Sequence, residues 1–183
     1  MIKNNNFIIN IETKTKKWLD FKPVKYKNLA SFFEYRINLL SLQTDLKTFL
    51  KNQNNQAEIS IFLVSNQQIK KINQEFRNIN KPTNLLTFGY LDEKLIRNSS
   101  LNAILKNSNY HFLGDIFFAF EKIKSEAIKE KKSFENHLTH LILHSILHII
   151  GFDHQNEQEA EIMESMEIKI LNSLDIKNPY QQN

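Results

Sequence analysis

Five of the six histidines of this 183-residue chain fall in one stretch, "HLTHLILHSILHIIGFDH", from His137 to His154. Imidazole is the commonest protein ligand for a divalent metal. On a helix, His144 and His148 lie about 40° apart on one face and one turn apart in height. His137 and His140 fall on the same face. Leu138, Leu141, Ile142, Leu143, Ile146, Leu147, Ile149 and Ile150 fill the rest, so this helix is buried and the histidines are its polar stripe. A buried imidazole left unpaired costs about 1–3 kcal/mol. A divalent cation relieves several of them at once by accepting a lone pair from each.

The spacing sharpens this reading. Histidines at i and i+4 form a two-ligand pair on a metal helix. Gly151 ends that helix by taking a left-handed conformation, and the returning chain brings His154 to the same point. Three imidazoles leave a fourth tetrahedral position open, as in catalytic rather than structural sites. They suit Zn2+, one ion per chain, though other divalent metals accept the same ligands. H-x3-H-x2-G-x2-H is also the ligand spacing of metzincin peptidases. In those enzymes a glutamate, the general base, follows the first histidine. Here that position is Ser145, which points off the ligand face and reads as a small packing residue. Two alternatives stay open at this level. One is a zinc-dependent, peptidase-like hydrolase with its base supplied from elsewhere. The other is a non-catalytic factor whose fold a metal merely stabilises.

The elements that must position this helix are legible. Residues 7–13 alternate as a strand. Residues 24–52 read as one or two helices with lysines outward. In "AEISIFLVS" (57–65), Ile59, Ile61 and Leu63 face one way, and Phe62 and Val64 the other. Ser65 and Gln68 make a capping-box pattern for a helix whose inner face is Ile69, Ile72 and Phe76. Residues 81–90 are a turn into a strand, 91–113 a polar surface loop, and 114–120 another strand. A helix then runs to about 131, Ser133 caps the histidine helix, and 157–174 form a last amphipathic helix. Its apolar stripe is Met163, Met166, Ile170 and Leu174. Strands early and helices late argue for one α+β domain over residues 1–183. It has a small mixed sheet of about four strands packed with helices around a central buried metal-binding helix, a zincin-like arrangement.

There is no cysteine, which excludes disulfides and thiolate-held metals and suits a reducing cytosol. No apolar run approaches the roughly 20 residues of a membrane span. The opening "MIKNNNFIIN" lacks the long apolar run of a secretory leader, so the expected location is cytoplasmic, with no membrane partner. The net charge of +4 is compatible with a nucleic-acid partner and selects none.

"HLILHSILHIIGFDH" resembles the signature helix of the YbeY family of bacterial rRNA maturation endoribonucleases. "INQEFRNINKPTNLLTF" resembles that family's segment of an arginine, a Lys-x-Pro-Thr-Asp/Asn turn and a strand. "LGDIFFAF" resembles its Gly-Asp-Ile strand, and "MESMEIKILNSLDIKNPY" its closing helix and Pro-Tyr end. The resemblance covers about residues 57–180; before that only the layout matches. It implies a metal-dependent, single-strand-specific endoribonuclease acting in 16S rRNA 3′-end maturation and ribosome quality control. RNA and the small ribosomal subunit or its precursors are then the expected partners. It implies His144, His148 and His154 as metal ligands and Arg77 as the functional arginine. This chain departs from the family pattern at Ser145, where glycine is usual, and at Gly89, where proline is usual.

The chemistry of Arg77 suits that role, because a planar guanidinium grips phosphate bidentately and stays charged. By itself the residue reads more readily as an exposed helix arginine, and the family resemblance reverses that preference. Asp153 either orients a ligand imidazole or caps the turn. Asp115 reads as a structural carboxylate or one bracing a ligand, and His140 as lying behind the ligands or lining the cleft. Lys81 and the lysines of 121–132 are candidates for an RNA-backbone track; a charge run more often forms a solvated face.

Overall fold

The computed structural model describes residues 7–52, 54–91, 101–106 and 108–181. Four strands form one mixed sheet in the order β1-β2-β4-β3: β1 (Phe7–Thr13), β2 (Gln56–Val64), β3 (Leu85–Gly89) and β4 (Tyr110–Ala119). β1 and β4 run parallel to β2, and β3 runs antiparallel to β4. The helices are α1 (Lys16–Leu19), α2 (Leu29–Ser41), α3 (Leu46–Leu50), α4 (Asn66–Arg77), α5 (Leu101–Leu105), α6 (Phe120–Lys129), α7 (Phe134–Ile149) and α8 (Glu157–Asn172). This is a single α+β domain with a four-stranded mixed sheet.

The alternation read in β2 holds. Ile59, Ile61 and Leu63 are buried with Ile116 and Phe118 in a core shared with α2 and α7. Phe62 and Val64 face the other way, into a smaller cluster with Ile69, Leu86 and Phe117. The Phe62 and Phe117 rings stack there at 4.6 Å. Trp18 is fully buried and donates its indole N–H to the Val64 carbonyl at 3.1 Å, satisfying its one polar atom.

Three expectations change. Phe76 does not join the inner face of α4: it is 62% exposed and meets Phe88 edge-on at 5.2 Å. The expected loop over 91–113 contains α5, with Leu101 and Leu105 buried; residues 92–100 and 107 of that loop lie outside the described residues. β4 also begins at Tyr110 rather than 114, because Gln56 to Glu58 of β2 supply pairing partners that a local reading does not see.

Two features of the sheet set up the site. β3 turns Leu85, Thr87 and Gly89 toward a cleft beside α7, and Leu86 and Phe88 away from it. Between Glu58 and Ile59 the β2–β4 register shifts by one residue on β4 and ends at Gly114. Gly114 has φ 155, and a Cβ there would sit 2.2 Å from the Phe88 carbonyl oxygen. Only glycine fits that approach. Gly114→Ala is expected to part β3 from β4 and destabilise the fold by at least about 1–3 kcal/mol from backbone strain alone. The urea midpoint measures this; an unchanged midpoint would refute it.

Candidate metal centre and its cleft

α7 is built to hold a polar stripe in an apolar environment. The Ser133 side chain caps its start by accepting from the Asn136 N–H at 3.1 Å, as expected. Leu138, Ile142, Leu143, Ile146 and Leu147 lock it into the core. Ser145 is fully buried and its hydroxyl donates to the Leu141 carbonyl at 2.9 Å, a packing role. The helix ends at Ile149. The Gly151 N–H donates to the His148 carbonyl and the Phe152 N–H to the Leu147 carbonyl, both at 3.0 Å, with Gly151 at φ 100. This is a Schellman reversal.

The reversal carries His154 back. Its ring centre lies 4.9 Å from that of His148 and 5.5 Å from that of His144. One ligand nitrogen from each of the three rings falls within 4.8 Å of the others. The outer nitrogens of the helical pair are tied down. His144 Nδ1 lies 2.9 Å from Glu167 Oε1, and His148 Nδ1 lies 3.1 Å from the Phe152 carbonyl oxygen. Both partners are acceptors, so each Nδ1 donates, and in a neutral ring that leaves the lone pair on Nε2. Those two Nε2 atoms face each other at 3.0 Å. Burial, reinforced by His144 and His154, pulls His148 down to about 4, so its ring is neutral near pH 7. Two Nε2 atoms aimed at one point, on rings fixed through Nδ1, are the donor set a divalent cation takes, and the residues fit a metal.

Glu167, on α8, is the residue that sequence reasoning missed. It is 0% exposed. Oε1 accepts from His144 and Oε2 lies 3.0 Å from His140 Nε2 and hydrogen-bonds to the Tyr180 hydroxyl. Burial pushes its carboxyl up, but the His140 and His144 hydrogen bonds outweigh that and hold it at about 2. A signal existed: Glu167 is four residues after Met163 and three before Ile170, so it sits on the apolar stripe where no carboxylate belongs without a partner.

The histidines open onto a cleft of about 980 Å³. Arg77, exposed at the last turn of α4, lines it, and among the described residues it has no ion-pair or hydrogen-bond partner. His140 also lines it. Lys122, Lys129 and Lys132 lie along it, but Lys122 pairs with Glu126 at 3.4 Å and Lys132 with Glu130 at 2.7 Å. Lys81 is not on the wall. His137 is buried on the same stripe with Nε2 3.1 Å from Glu126, which Asn84 also holds at 3.0 Å. Asp153 caps the turn by accepting the His154 N–H at 2.8 Å; its carboxylate stays 4.0 Å from His148 Nδ1, whose proton goes to Phe152.

Asp115 stands apart from the cluster. Among the described residues it bonds none of the histidines and lines no part of the cleft. It stands on the sheet face opposite α7, beside Phe117, and accepts from the Tyr90 hydroxyl at 3.1 Å. Alternation along β4 puts Ile116 and Phe118 toward the histidine helix and Asp115 away from it. His111 is remote as well, with Nε2 3.2 Å from the Leu105 carbonyl.

The solution structure of TM1509 from Thermotoga maritima shares this fold, with a TM-score of 0.50 at 19% identity over 95% of this chain and 99% of that one. The endoribonuclease YbeY of Francisella tularensis subsp. novicida (strain U112) is 38% identical over 130 residues, which are 71% of this chain and 75% of that protein. The sequence model of endoribonuclease YbeY matches residues 23–175, from before α2 to the end of α8. The chain belongs to the endoribonuclease YbeY family.

Proposed function

We propose that this chain is a Zn2+-dependent endoribonuclease that cuts single-stranded RNA, with His144, His148 and His154 as metal ligands and Arg77 as the phosphate-binding catalytic residue. Its setting is 16S rRNA 3′-end maturation and ribosome quality control in the cytoplasm, on the small ribosomal subunit or its precursors, with residues 1–183 acting as one domain. The observation that carries the reading is the pair of Nε2 atoms 3.0 Å apart, with His154 beside them, at the wall of a cleft that also holds Arg77, which has no ion-pair partner among the described residues.

A bound divalent ion supplies Lewis-acid stabilisation of charge building on phosphoryl oxygens. The chain supplies the rest. The Nδ1 contacts to Glu167 and Phe152 keep two ligand rings from rotating. Arg77 takes two phosphate oxygens in one plane and holds the scissile group against the histidines. With Ser145 buried and bonded to its own helix, no general base follows the first ligand, which argues against peptide hydrolysis. The nucleophile is water or the substrate's own 2′-hydroxyl, and the product decides: a 2′,3′-cyclic phosphate excludes direct water attack.

The test is cleavage of a single-stranded rRNA fragment by the full chain. Activity is expected to disappear with a chelator and return with one equivalent of Zn2+. Full activity in a metal-free protein would refute the reading, and so would casein cleavage in place of RNA cleavage.

A further inference from the structure

A buried carboxylate is costly unless every lone pair is matched. Glu167 meets that condition in an asymmetric way. One oxygen serves a single group, His144 Nδ1 at 2.9 Å. The other is shared by His140 Nε2 at 3.0 Å and the Tyr180 hydroxyl. Tyr180 follows the last helix, packs edge-on against the His140 ring at 5.7 Å and lines the cleft. Its neighbour Pro179 is held by Lys132, which donates to the Pro179 carbonyl at 2.8 Å. The closing segment of the chain thus reaches the ligand histidines through one carboxylate. A simple tie between α7 and α8 would not need both oxygens committed, nor a ligand's outer nitrogen as the target.

We propose that Glu167 is the positioning residue of the metal centre: it holds His144 as the Nδ1–H tautomer with Nε2 aimed at the metal, and Tyr180 and His140 fix the carboxylate so that its other oxygen stays on His144. This rests on the three-histidine reading above. Glutamine at 167 offers one oxygen where two are needed. If its NH2 faces His144, Nδ1 must accept, the proton moves to Nε2 and that nitrogen cannot ligate. If the NH2 faces away, it meets His140 and Tyr180 and the charge is lost. Removing such an outer partner typically costs 10–100-fold in metal affinity.

The experiment is a competition titration of the full chain with Zn2+ against a chromophoric chelator, with Co2+ absorption and thermal melting of the metal-free protein. Wild type, Glu167→Gln and Tyr180→Phe are compared. The expected result is one ion per chain, affinity about 10–100-fold weaker in Glu167→Gln, a smaller loss in Tyr180→Phe, and an altered Co2+ spectrum in both. Tyr180→Phe keeps the ring and removes only the hydroxyl that bonds Glu167, so it reports even if Glu167→Gln does not fold. Wild-type affinity and spectrum in both variants would make Glu167 a structural tie only and overturn the proposal. Two ions in wild type and one in Glu167→Gln would also overturn it, by making His140, His144 and Glu167 ligands of a second ion. A wild type that binds no ion would instead remove the three-histidine reading itself.

Discussion

Replacing His148 with alanine is expected to abolish RNA cleavage and leave the chain folded. The side chain is half-buried, and its Nδ1 contact with the Phe152 carbonyl is worth about 0.5–1.5 kcal/mol. Alanine is the best helix former, which offsets part of that loss. The Schellman bonds that end α7 are backbone bonds and remain. The loss of function is far larger. Two imidazoles do not hold an ion as three do, and Lewis-acid stabilisation is worth several kcal/mol. At 1.36 kcal/mol per tenfold, a fall in kcat/KM of about 10³-fold or more follows. Metal content and cleavage rate should fall together, while the metal-free variant and metal-free wild type melt within a few degrees of each other. A variant without metal that still cuts RNA would refute the metal's role.

The second large effect is at Arg77. Arg77→Ala should lose about 10²–10³-fold in cleavage, the amount seen when one preorganised donor to developing charge is removed. It should retain a full complement of metal, because Arg77 contacts none of the histidines and belongs to a different element. Stability should hardly move, since the side chain is exposed and has no protein partner among the described residues. Arg77→Lys keeps the charge but not the planar fork, so it should recover only part of the rate. This separates the two halves of the site: His148→Ala loses metal and activity, Arg77→Ala activity alone. Equal activity in wild type and Arg77→Ala would reduce Arg77 to a solvated helix arginine.

The histidine cluster was legible because its logic is local. His144, His148, Gly151 and His154 lie within eleven residues, so helical pitch and one left-handed glycine are enough to converge them. The elements with strong caps and clear periods were legible for the same reason: Ser65 with Gln68, Ser133, and the alternation of β2. The misreadings share the opposite cause. The start of β4 depends on a partner strand 50 or so residues earlier. Asp115 looked available because the sequence does not say which sheet face meets α7. Phe76 looked like core because α4 is amphipathic, yet the face it meets is only partly covered.

What the sequence determined by itself is therefore the family, the α+β class and the residues of the histidine cluster, all of which follow from short-range pattern. What only the tertiary structure decided is which groups stand behind and across from that cluster. Glu167 is 23 residues from His144, Tyr180 is 13 further on, and Arg77 comes from α4, which packs with Ile69 on the other face of the sheet. A side chain on an apolar stripe cannot be told from misplaced polarity until the opposing helix shows that its lone pairs are matched. The pairing that turns a row of histidines into an oriented donor set is made by packing, and packing is not written in spacing.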